Sequence, residues 1–252
     1  MKTVFITGAT SGIGKATAEK FAAEGYKLII TGRREERLTS FASELKAKFN
    51  NEVLPLVFDV QDNVQVERAI SNIDSAWKNI DILINNAGLA LGKGTIDNGV
   101  LSDWDTMIDT NVKGLLYITK ALLPTIKQSK TPHIINIGSI AGKEAYHAGN
   151  VYCATKHAVD ALTKAMRIDL LPHGIKVTGV CPGAVETEFS VVRYHGDQEK
   201  ADSVYKGFEP LLATDVAEVI YFAACQPKHV NLNDIVITPT AQANTVHIVK
   251  ES

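Results

Sequence analysis

Short apolar runs alternate with longer amphipathic stretches from one end of this 252-residue chain to the other. The runs have the length of β-strands and are apolar almost throughout, as strands covered on both faces are. They lie at residues 4–6, 27–31, 53–58, 82–84, 134–137, 177–180 and 235–237. The pattern predicts an α/β fold, in which a doubly wound parallel sheet has helices on both faces and right-handed crossovers.

The amphipathic stretches predict helices at residues 14–24, 35–49, 64–77, 103–123, 151–171 and 215–224. The second of them places Leu38, Phe41 and Leu45 on one face, with charged residues on the other. Gly25 directly after the first is a typical helix end. Linkers, repeats and low-complexity segments are absent from the sequence, so we expect a single domain over residues 1–252.

The least regular part of the pattern is the polar stretch 186–210, which contains Gly196 and Gly207. It follows a predicted strand, and open α/β sheets bind ligands beyond the carboxyl ends of their strands. We therefore expect a substrate lid, with a surface loop of no special role as the alternative. The tail at residues 239–252 has apolar positions that could dock on a neighbouring subunit, or it could be a frayed end.

Composition narrows the class of protein. The chain is 45% hydrophobic and 21% charged, with a net charge of -2, so neither nucleic acid nor an anionic membrane is an expected partner. Three cysteines indicate a reducing compartment, without a disulfide framework or a metal site. A run of the ~18 apolar residues that a membrane span needs does not occur, and there is no secretory signal. We expect a cytoplasmic protein that binds a small molecule.

A glycine-rich turn joins the first predicted strand to the first helix. It runs Thr7-Gly8-Ala9-Thr10-Ser11-Gly12-Ile13-Gly14, with the spacing G-x-x-x-G-x-G. Glycines let the backbone approach a pyrophosphate, and the helix N-terminus offers free N–H groups to it. The position of the turn favours a dinucleotide site over a tight turn without a ligand. The expected contacts are Gly8, Thr10, Ser11, Gly12, Ile13 and Gly14.

Arg33 and Arg34 follow the second predicted strand, where dinucleotide-binding folds contact the adenosine ribose. A site for NAD places Asp or Glu there, but residues 28–34 contain no acid. A guanidinium is suited to the 2′-phosphate of NADP. The sequence therefore predicts NADP, and the alternative is that both arginines are exposed charges at the start of the next helix.

Two further strand ends have polar or compact residues that suit a cofactor. Asp59 and Val60 follow the third strand, where the carboxylate could accept from an adenine amine. Asn86, Ala87 and Gly88 follow the fourth, where small residues allow a close approach of the chain. Ordinary strand-end turns are the alternative for both.

Tyr152 and Lys156 are four residues apart, so they lie on one face of a predicted helix. An ammonium beside a phenol favours the phenolate and lowers a pKa that is about 10 in water. Such a phenol can act as acid and base near neutral pH. Ser139 lies upstream, after a predicted strand. Cys153 beside Tyr152 could be reactive, although a buried packing thiol is the usual role of such a residue.

These motifs, in this order and over essentially the whole chain, resemble those of the short-chain dehydrogenase/reductase family. The motifs are Thr7-Gly8 to Gly14, Asp59-Val60, Asn85-Asn86-Ala87-Gly88, Asn111, Ser139, Tyr152 with Lys156, and Pro182-Gly183. The resemblance implies a seven-stranded Rossmann sheet and hydride transfer between a nicotinamide and a carbonyl or alcohol.

The resemblance also implies residue roles. Tyr152 would exchange the substrate proton, and Ser139 would hydrogen-bond the substrate oxygen. Lys156 would bind the nicotinamide ribose and lower the pKa of Tyr152, and Asn111 would hold a water of the proton relay. The segment that would close over the nicotinamide includes Pro182, Gly183, Val185 and Thr187, with Thr187 near the carboxamide.

Segments 86–92, 104–111, 133–139 and 187–197 are similar to the bacterial and fungal NADP-dependent 3-hydroxy acid dehydrogenases. That similarity implies oxidation of L-serine, L-allo-threonine and related 3-hydroxy acids, reduction of short 3-oxo acids, and a homotetramer. The chain departs from that pattern at Val185-Glu186-Thr187, where an extra glycine is usual.

A 3-hydroxy acid needs a counter-charge, and Arg193 in the expected lid could bind its carboxylate. A solvated loop arginine is the alternative. The sequence is also compatible with two other functions. One is a reductase of another carbonyl class, such as 3-oxoacyl thioesters, and the other is a non-enzymatic NADP-binding sensor.

Overall fold

A computed structural model describes residues 1–251 and arranges them around one seven-stranded sheet. The strands are β1 Thr3–Ile6, β2 Lys27–Gly32, β3 Val53–Val57, β4 Ile82–Asn85, β5 His133–Ile137, β6 Lys176–Pro182, β7 Val185–Glu186, β8 Leu211–Leu212 and β9 Asp234–Ile237. The main sheet has the order β3-β2-β1-β4-β5-β6-β9, and all its pairs are parallel. β7 and β8 pair separately.

The chain direction across the sheet reverses between β1 and β4, which is the point where doubly wound sheets bind nucleotides. The helices are α1 Gly12–Ala23, α2 Glu35–Phe49, α3 Asn63–Ser71, α4 Leu101–Ile108, α5 Leu115–Ile126, α6 Asn150–Asp169, α7 Glu188–Arg193, α8 Gln198–Ser203 and α9 Ala213–Ala224. The predicted fold class is confirmed.

Each face of the sheet has its own hydrophobic core. Val4 and Ile6 of β1 pack on one face with Phe21 of α1. Phe5, between them, points to the other face and packs with Ile118 of α5. Because successive side chains of a strand alternate between faces, a strand covered on both sides must be apolar at every position. This is the physical origin of the uninterrupted apolar runs in the sequence.

Two predicted helices have different bounds in the structure. The helix expected at residues 64–77 ends at Ser71. The Asp74 side chain accepts from Ala76 N and thereby starts a separate 3-10 turn at Ser75–Trp77. The helix expected at 103–123 is interrupted by a π-helical turn at Asp109–Gly114, which joins α4 to α5.

The stretch 186–210, the least regular part of the sequence pattern, is partly helical in the structure. It contains α7 and α8, each preceded by a residue whose side chain caps the helix. Thr187 accepts from Phe189 N at 3.2 Å, and Asp197 accepts from Lys200 N at 3.1 Å. Thr and Asp are preferred residues at the start of a helix, so both helix starts could have been predicted from the sequence.

The tail folds back on its own chain. Ala243 N donates to His247 O at 3.0 Å and Val249 N to Ala241 O at 2.9 Å, so the segment forms a small hairpin. Residues 239–251 therefore fold back on their own chain, while Ser252, the last residue of the predicted tail, lies outside the described residues. Within residues 1–251, the helices are all too short or too polar to cross a membrane.

Candidate active site

The turn between β1 and α1 leaves room for a ligand against its backbone. Gly8 and Gly12 have φ of +67° and +52°, values that favour glycine. A side chain at Gly14 would collide with the Gly8 carbonyl and the Asn86 amide. Ser11 precedes α1, and its hydroxyl accepts from Arg34 Nη2 at 2.9 Å instead of capping the helix within the described chain. The first N–H groups of α1 are therefore available to an anion.

The end of β4 supports this turn. Asn86 Nδ2 donates to Thr7 O and Gly8 O at 2.8 and 3.1 Å. Thr7 Oγ1 in return accepts from the backbone N–H groups of Asn86 and Ala87 at 3.0 and 2.9 Å. The predicted residues at the β1 and β4 ends thus form one rigid floor, on which a cofactor would lie.

Arg34 lies at the mouth of the cleft beside the glycine-rich turn. It donates to Thr10 Oγ1 at 2.8 and 3.2 Å, and to Glu188 Oε2 at 2.8 Å. Arg33 lies farther along and pairs with Asp59 at 3.4 Å. A guanidinium beside two hydroxyls, above a glycine turn with free N–H groups, fits a dinucleotide that has an additional phosphate on its ribose.

Ser139, Tyr152 and Lys156 come together at the carboxyl ends of the strands. Ser139 Oγ accepts from Ala141 N at 3.0 Å, donates to Pro182 O at 3.5 Å and lies in the same cavity as the Tyr152 hydroxyl. Lys156 Nζ donates to Ile137 O at 2.9 Å. Tyr152 and Lys156 are 9% and 7% exposed, so all three groups lie in one desolvated pocket.

Burial shifts the pKa values of both Tyr152 and Lys156. It raises the pKa of Tyr152 above its ordinary value, and the Ser139 hydroxyl and the charge of Arg193 only partly oppose it. Burial also lowers the pKa of Lys156 to about 8. The Lys156 ammonium donates to the Ile137 carbonyl in this structure, and its predicted lowering of the Tyr152 pKa stays a prediction.

Asn111 lies in the π-helical turn, a feature common at functional sites. Its Oδ1 accepts from Leu89 N at 2.9 Å, and its Nδ2 donates to Leu89 O and Thr155 Oγ1 at 2.8 and 3.0 Å. The amide therefore fastens the loop after β4 to α6. Because both ends of this amide are engaged, the predicted water of the proton relay would bind mainly to backbone groups near Asn111. The role of Asn111 in the relay stays a prediction.

Arg193 of α7 is brought to the side of Tyr152. Its guanidinium carbon lies 5.7 Å from the Tyr152 ring centroid and 5.5 Å from that of Tyr146. Nη1 donates to the Tyr146 hydroxyl at 2.9 Å, while Nε is buried without a partner among the described residues. A buried N–H without an acceptor is costly, so this guanidinium is suited to an anionic ligand. Arg193 is not a solvated loop arginine.

Comparison with known proteins agrees with this geometry. Residues 2–197 match the model of the short chain dehydrogenase family. The chain belongs to the short-chain dehydrogenase family. The resemblance predicted from the sequence is thereby confirmed.

Several relatives of this dehydrogenase match nearly its whole length. Serine 3-dehydrogenase of Agrobacterium fabrum is 45% identical over 241 residues, which is 96% of this chain and 95% of that protein. NADP-dependent 3-hydroxy acid dehydrogenase of Schizosaccharomyces pombe is 44% identical over 251 residues, or 99% and 97% of the two chains. Sulfoacetaldehyde reductase 2 of Chromohalobacter salexigens is 47% identical over 241 residues, or 95% of each.

Among solved structures, the closed form of serine dehydrogenase complexed with NADP+ matches with a TM-score of 0.92 and 41% identity. The match covers 99% of this chain and 100% of that chain. The similarity of the whole fold, and not only of the motifs, therefore places this protein among the short-chain dehydrogenases.

Sequence reasoning missed two residues of this dehydrogenase site. Tyr146 holds Arg193, and Gln242 of the tail accepts from Ala184 N at 2.8 Å, which fixes the segment after β6. Gln242 is 6% exposed and fills the space that a side chain at Gly183 would need. Gln242 was hard to predict as a site residue, because a single Gln in a polar tail belongs to no motif and no periodic pattern.

The segment expected to close over the nicotinamide lies along the same cleft. Thr187 packs against the glycine-rich turn, since a side chain atom at Gly12 would lie 3.2 Å from Thr187 Cβ. The cleft has a volume of about 700 Å³. The predicted site residues that line it include Gly8, Thr10, Ser11, Gly12, Ile13, Arg33, Arg34, Asp59, Val60, Asn86, Ala87, Gly88, Ser139, Tyr152, Lys156, Pro182, Gly183, Val185, Thr187 and Arg193.

Proposed function

We propose that this chain is an NADP-dependent oxidoreductase that transfers a hydride between nicotinamide and a small 3-hydroxy acid or 3-oxo acid. L-Serine, L-allo-threonine and 3-hydroxypropionate are the substrates of this type. Relatives named as serine and 3-hydroxy acid dehydrogenases support the proposal. The observation on which it depends is the Arg193 guanidinium beside Tyr152, in the cavity that also contains Ser139.

In the proposed mechanism the cofactor carries the hydride, and the protein binds the cofactor and moves the proton. NADP, when bound, accepts the hydride in oxidation and NADPH supplies it in reduction. Arg34 with Thr10 and Ser11 would bind the 2′-phosphate, and the N-terminus of α1 would bind the pyrophosphate. Lys156, close to Gly88, would bind the nicotinamide ribose, as the family resemblance implies.

Tyr152 would move the proton. In oxidation it takes the proton of the substrate hydroxyl, and in reduction it donates one to the carbonyl oxygen. Ser139 would hydrogen-bond the same oxygen and stabilise the charge that develops on it. Burial raises the pKa of Tyr152, so its protonated form, the proton donor for reduction, prevails at neutral pH.

Arg193 would select acids and fix their orientation. Its Nη1 is engaged by Tyr146, whereas Nε is unpartnered among the described residues and can donate to a carboxylate. A guanidinium that binds one end of the substrate while Tyr152 and Ser139 bind the other would orient the reacting carbon. We also propose that residues 186–210, which include Arg193, form the substrate lid.

A sulfonate substrate is a second candidate. A guanidinium binds a sulfonate as well as a carboxylate, and two relatives at 47% and 45% identity are named sulfoacetaldehyde reductases. The two candidates require the same protein groups and differ only in the anion.

The test is a substrate panel with purified protein, in which reduction of NADP+ and of NAD+ is followed separately. The panel contains L-serine, L-allo-threonine, 3-hydroxypropionate, 2-hydroxyethanesulfonate and an uncharged secondary alcohol. Turnover of the hydroxy acids with NADP+ supports the proposal, and preference for the sulfonate supports the second candidate. Turnover of the neutral alcohol alone would overturn both, and would favour a reductase of another carbonyl class.

We further propose that the protein is a homotetramer in the cytoplasm. Ala154, Ala161 and Ala165 give α6 an exposed surface of small residues, which allows close helix packing between subunits. The three cysteines of the chain are free, which suits a reducing compartment. Light scattering coupled to size-exclusion chromatography measures the assembly, and a monomer would contradict the proposal.

A further inference from the structure

Glu188, the first residue of α7, connects the proposed lid to the start of α2 through two arginines. Its carboxylate accepts from Arg34 Nη1 at 2.8 Å and from Arg37 Nη1 at 3.1 and 3.3 Å. The hydrogen bond from Arg34, together with Arg37, holds the pKa of Glu188 below its ordinary value. The carboxylate is therefore ionised at neutral pH, within contact of the arginine expected to bind the 2′-phosphate.

The other donors of Arg34 face the glycine-rich turn. Nε and Nη2 donate to Thr10 Oγ1, and Nη2 also donates to Ser11 Oγ. A hydroxyl can accept from a guanidinium and at the same time donate to a phosphate oxygen, so both hydroxyls can stay in place when a phosphate binds. A carboxylate only accepts, and it repels a dianion. Glu188 is the partner of Arg34 that a phosphate would displace.

We infer that Glu188 occupies Arg34 and Arg37 in place of the 2′-phosphate of NADP, and that Arg37 is a second cation for that phosphate. The inference rests on the NADP site of the proposed function, which it extends by two residues, and it does not depend on the substrate. Sequence reasoning considered only Arg33 and Arg34. Arg33 points elsewhere, to Asp59, while Arg37 shares the carboxylate with Arg34.

Two consequences follow for cofactor binding. NADP+ has to compete with Glu188 for the guanidiniums, so the carboxylate weakens NADP+ binding. NAD+ lacks the phosphate and leaves the contact between Glu188 and the arginines intact. Glu188 therefore reduces the selectivity for NADP+ over NAD+, and links the position of α7 to the 2′-phosphate.

The experiment measures dissociation constants of NADP+ and NAD+ by isothermal titration calorimetry, without substrate. We expect Glu188→Gln to tighten NADP+ binding about threefold to tenfold and to leave NAD+ binding nearly unchanged. The gain should shrink at high salt, since all three side chains are partly exposed. Glu188→Ala should change NADP+ binding in the same direction, so the result does not depend on one variant.

The matched control is Glu44→Gln, which removes the same charge from an exposed position on α2 outside the cleft. It should change neither constant. Unchanged or weaker NADP+ binding in both Glu188 variants would overturn the inference. So would equal tightening of NADP+ and NAD+, because the effect would then not involve the 2′-phosphate.

Arg37→Gln tests the second cation. We expect it to weaken NADP+ binding about threefold to tenfold in the Glu188→Gln background, with no effect on NAD+. Loss of NADP+ affinity through Arg34→Gln alone, with Arg37→Gln silent in that background, would remove Arg37 from the phosphate site. These binding measurements give the same answer whether the substrate is a carboxylate, a sulfonate or a neutral alcohol.

Discussion

At the scale of single residues, the Tyr152 phenol has neighbours that act on its proton in opposite directions. The Ser139 hydroxyl and the Arg193 guanidinium, which lies over the ring, both favour the phenolate. Burial and the neighbouring Tyr146 favour the neutral phenol and prevail. The spacing of Tyr152 and Lys156 predicted which groups would meet, but not how strongly burial would affect them, because desolvation depends on the packing of the whole pocket.

Tyr152→Phe should reduce turnover by about 10²-fold to 10⁴-fold, because it removes the group that exchanges the substrate proton. NADP+ affinity should stay within about twofold of wild type, since the phenyl ring keeps the packing. Steady-state rates and calorimetry measure the two quantities. A parallel loss of cofactor binding would mean that Tyr152 is structural.

The rate of oxidation should depend on pH in one direction. Oxidation needs the Tyr152 phenolate, and burial raises the pKa of that group, so kcat/KM for oxidation should rise through the neutral and mildly alkaline range. Reduction needs the neutral phenol and should be nearly flat over the same range. Rates of both reactions measured from about one pH unit below neutrality to about two units above it test this prediction. A flat oxidation profile would contradict the assignment of the base.

Arg193→Met should raise KM for anionic substrates at least about tenfold, while uncharged alcohols change little. Methionine keeps much of the apolar contact with Tyr146 but removes the charge. Kinetics with 3-hydroxypropionate and with a neutral alcohol of similar size distinguish the two effects. Equal changes for both substrates would mean that Arg193 only supports the lid.

At the scale of elements, the short apolar strands and the glycine-rich turn were predictable, whereas helix interruptions were not. The π-helical turn at Asp109–Gly114 depends on Asn111 bonding to Leu89 and Thr155, which are distant in sequence. Such tertiary contacts override local periodicity. The starts of α7 and α8 were local, and Thr187 and Asp197 marked them in the sequence.

The tail is an element whose effect on the site can be measured. Gln242→Ala leaves the Ala184 N–H without its acceptor, which should lower the free energy of unfolding by about 1–3 kcal/mol. It should also weaken NADP+ binding, because the segment from Pro182 to Thr187 loses its support. Thermal unfolding and calorimetry provide the two measurements. Asn244→Ala is a control in the same hairpin, and an equal loss of NADP+ affinity there would point to a general effect on the tail.

At the scale of the whole molecule, the two cores and the strand order follow from the alternation of apolar runs and helices. The chemistry could not be assigned with equal ease, because Tyr146 and Arg193 are 47 residues apart and meet only in the folded chain. Motifs within one turn or one helix are visible in a sequence. A contact between the segment before α6 and α7 is not.

His133 of β5 links the stability of the whole fold to pH. It is 1% exposed, and burial lowers its pKa from 6.5 to about 3. The folded state therefore holds His133 neutral, and its stabilising contribution is complete above pH 6.5 and is lost as pH falls toward 3. We expect a slope of up to about 1.4 kcal/mol per pH unit in that window. Denaturant unfolding between these limits should show a smaller slope in His133→Gln, and an equal slope would refute the assignment.

The hairpin of the tail lies at the cleft, while the first residue of the chain lies far from it. Thr245, Ile248 and Lys250 line the cleft, and Glu251 N donates to Gly207 O at 2.7 Å, so the last described residues form part of its wall. Met1 is 80% exposed and precedes β1, at the opposite edge of the sheet from the carboxyl ends of the strands. A substitution in the hairpin should therefore alter the cleft directly, whereas a substitution at Met1 should not, because Met1 lies at the other edge of the sheet.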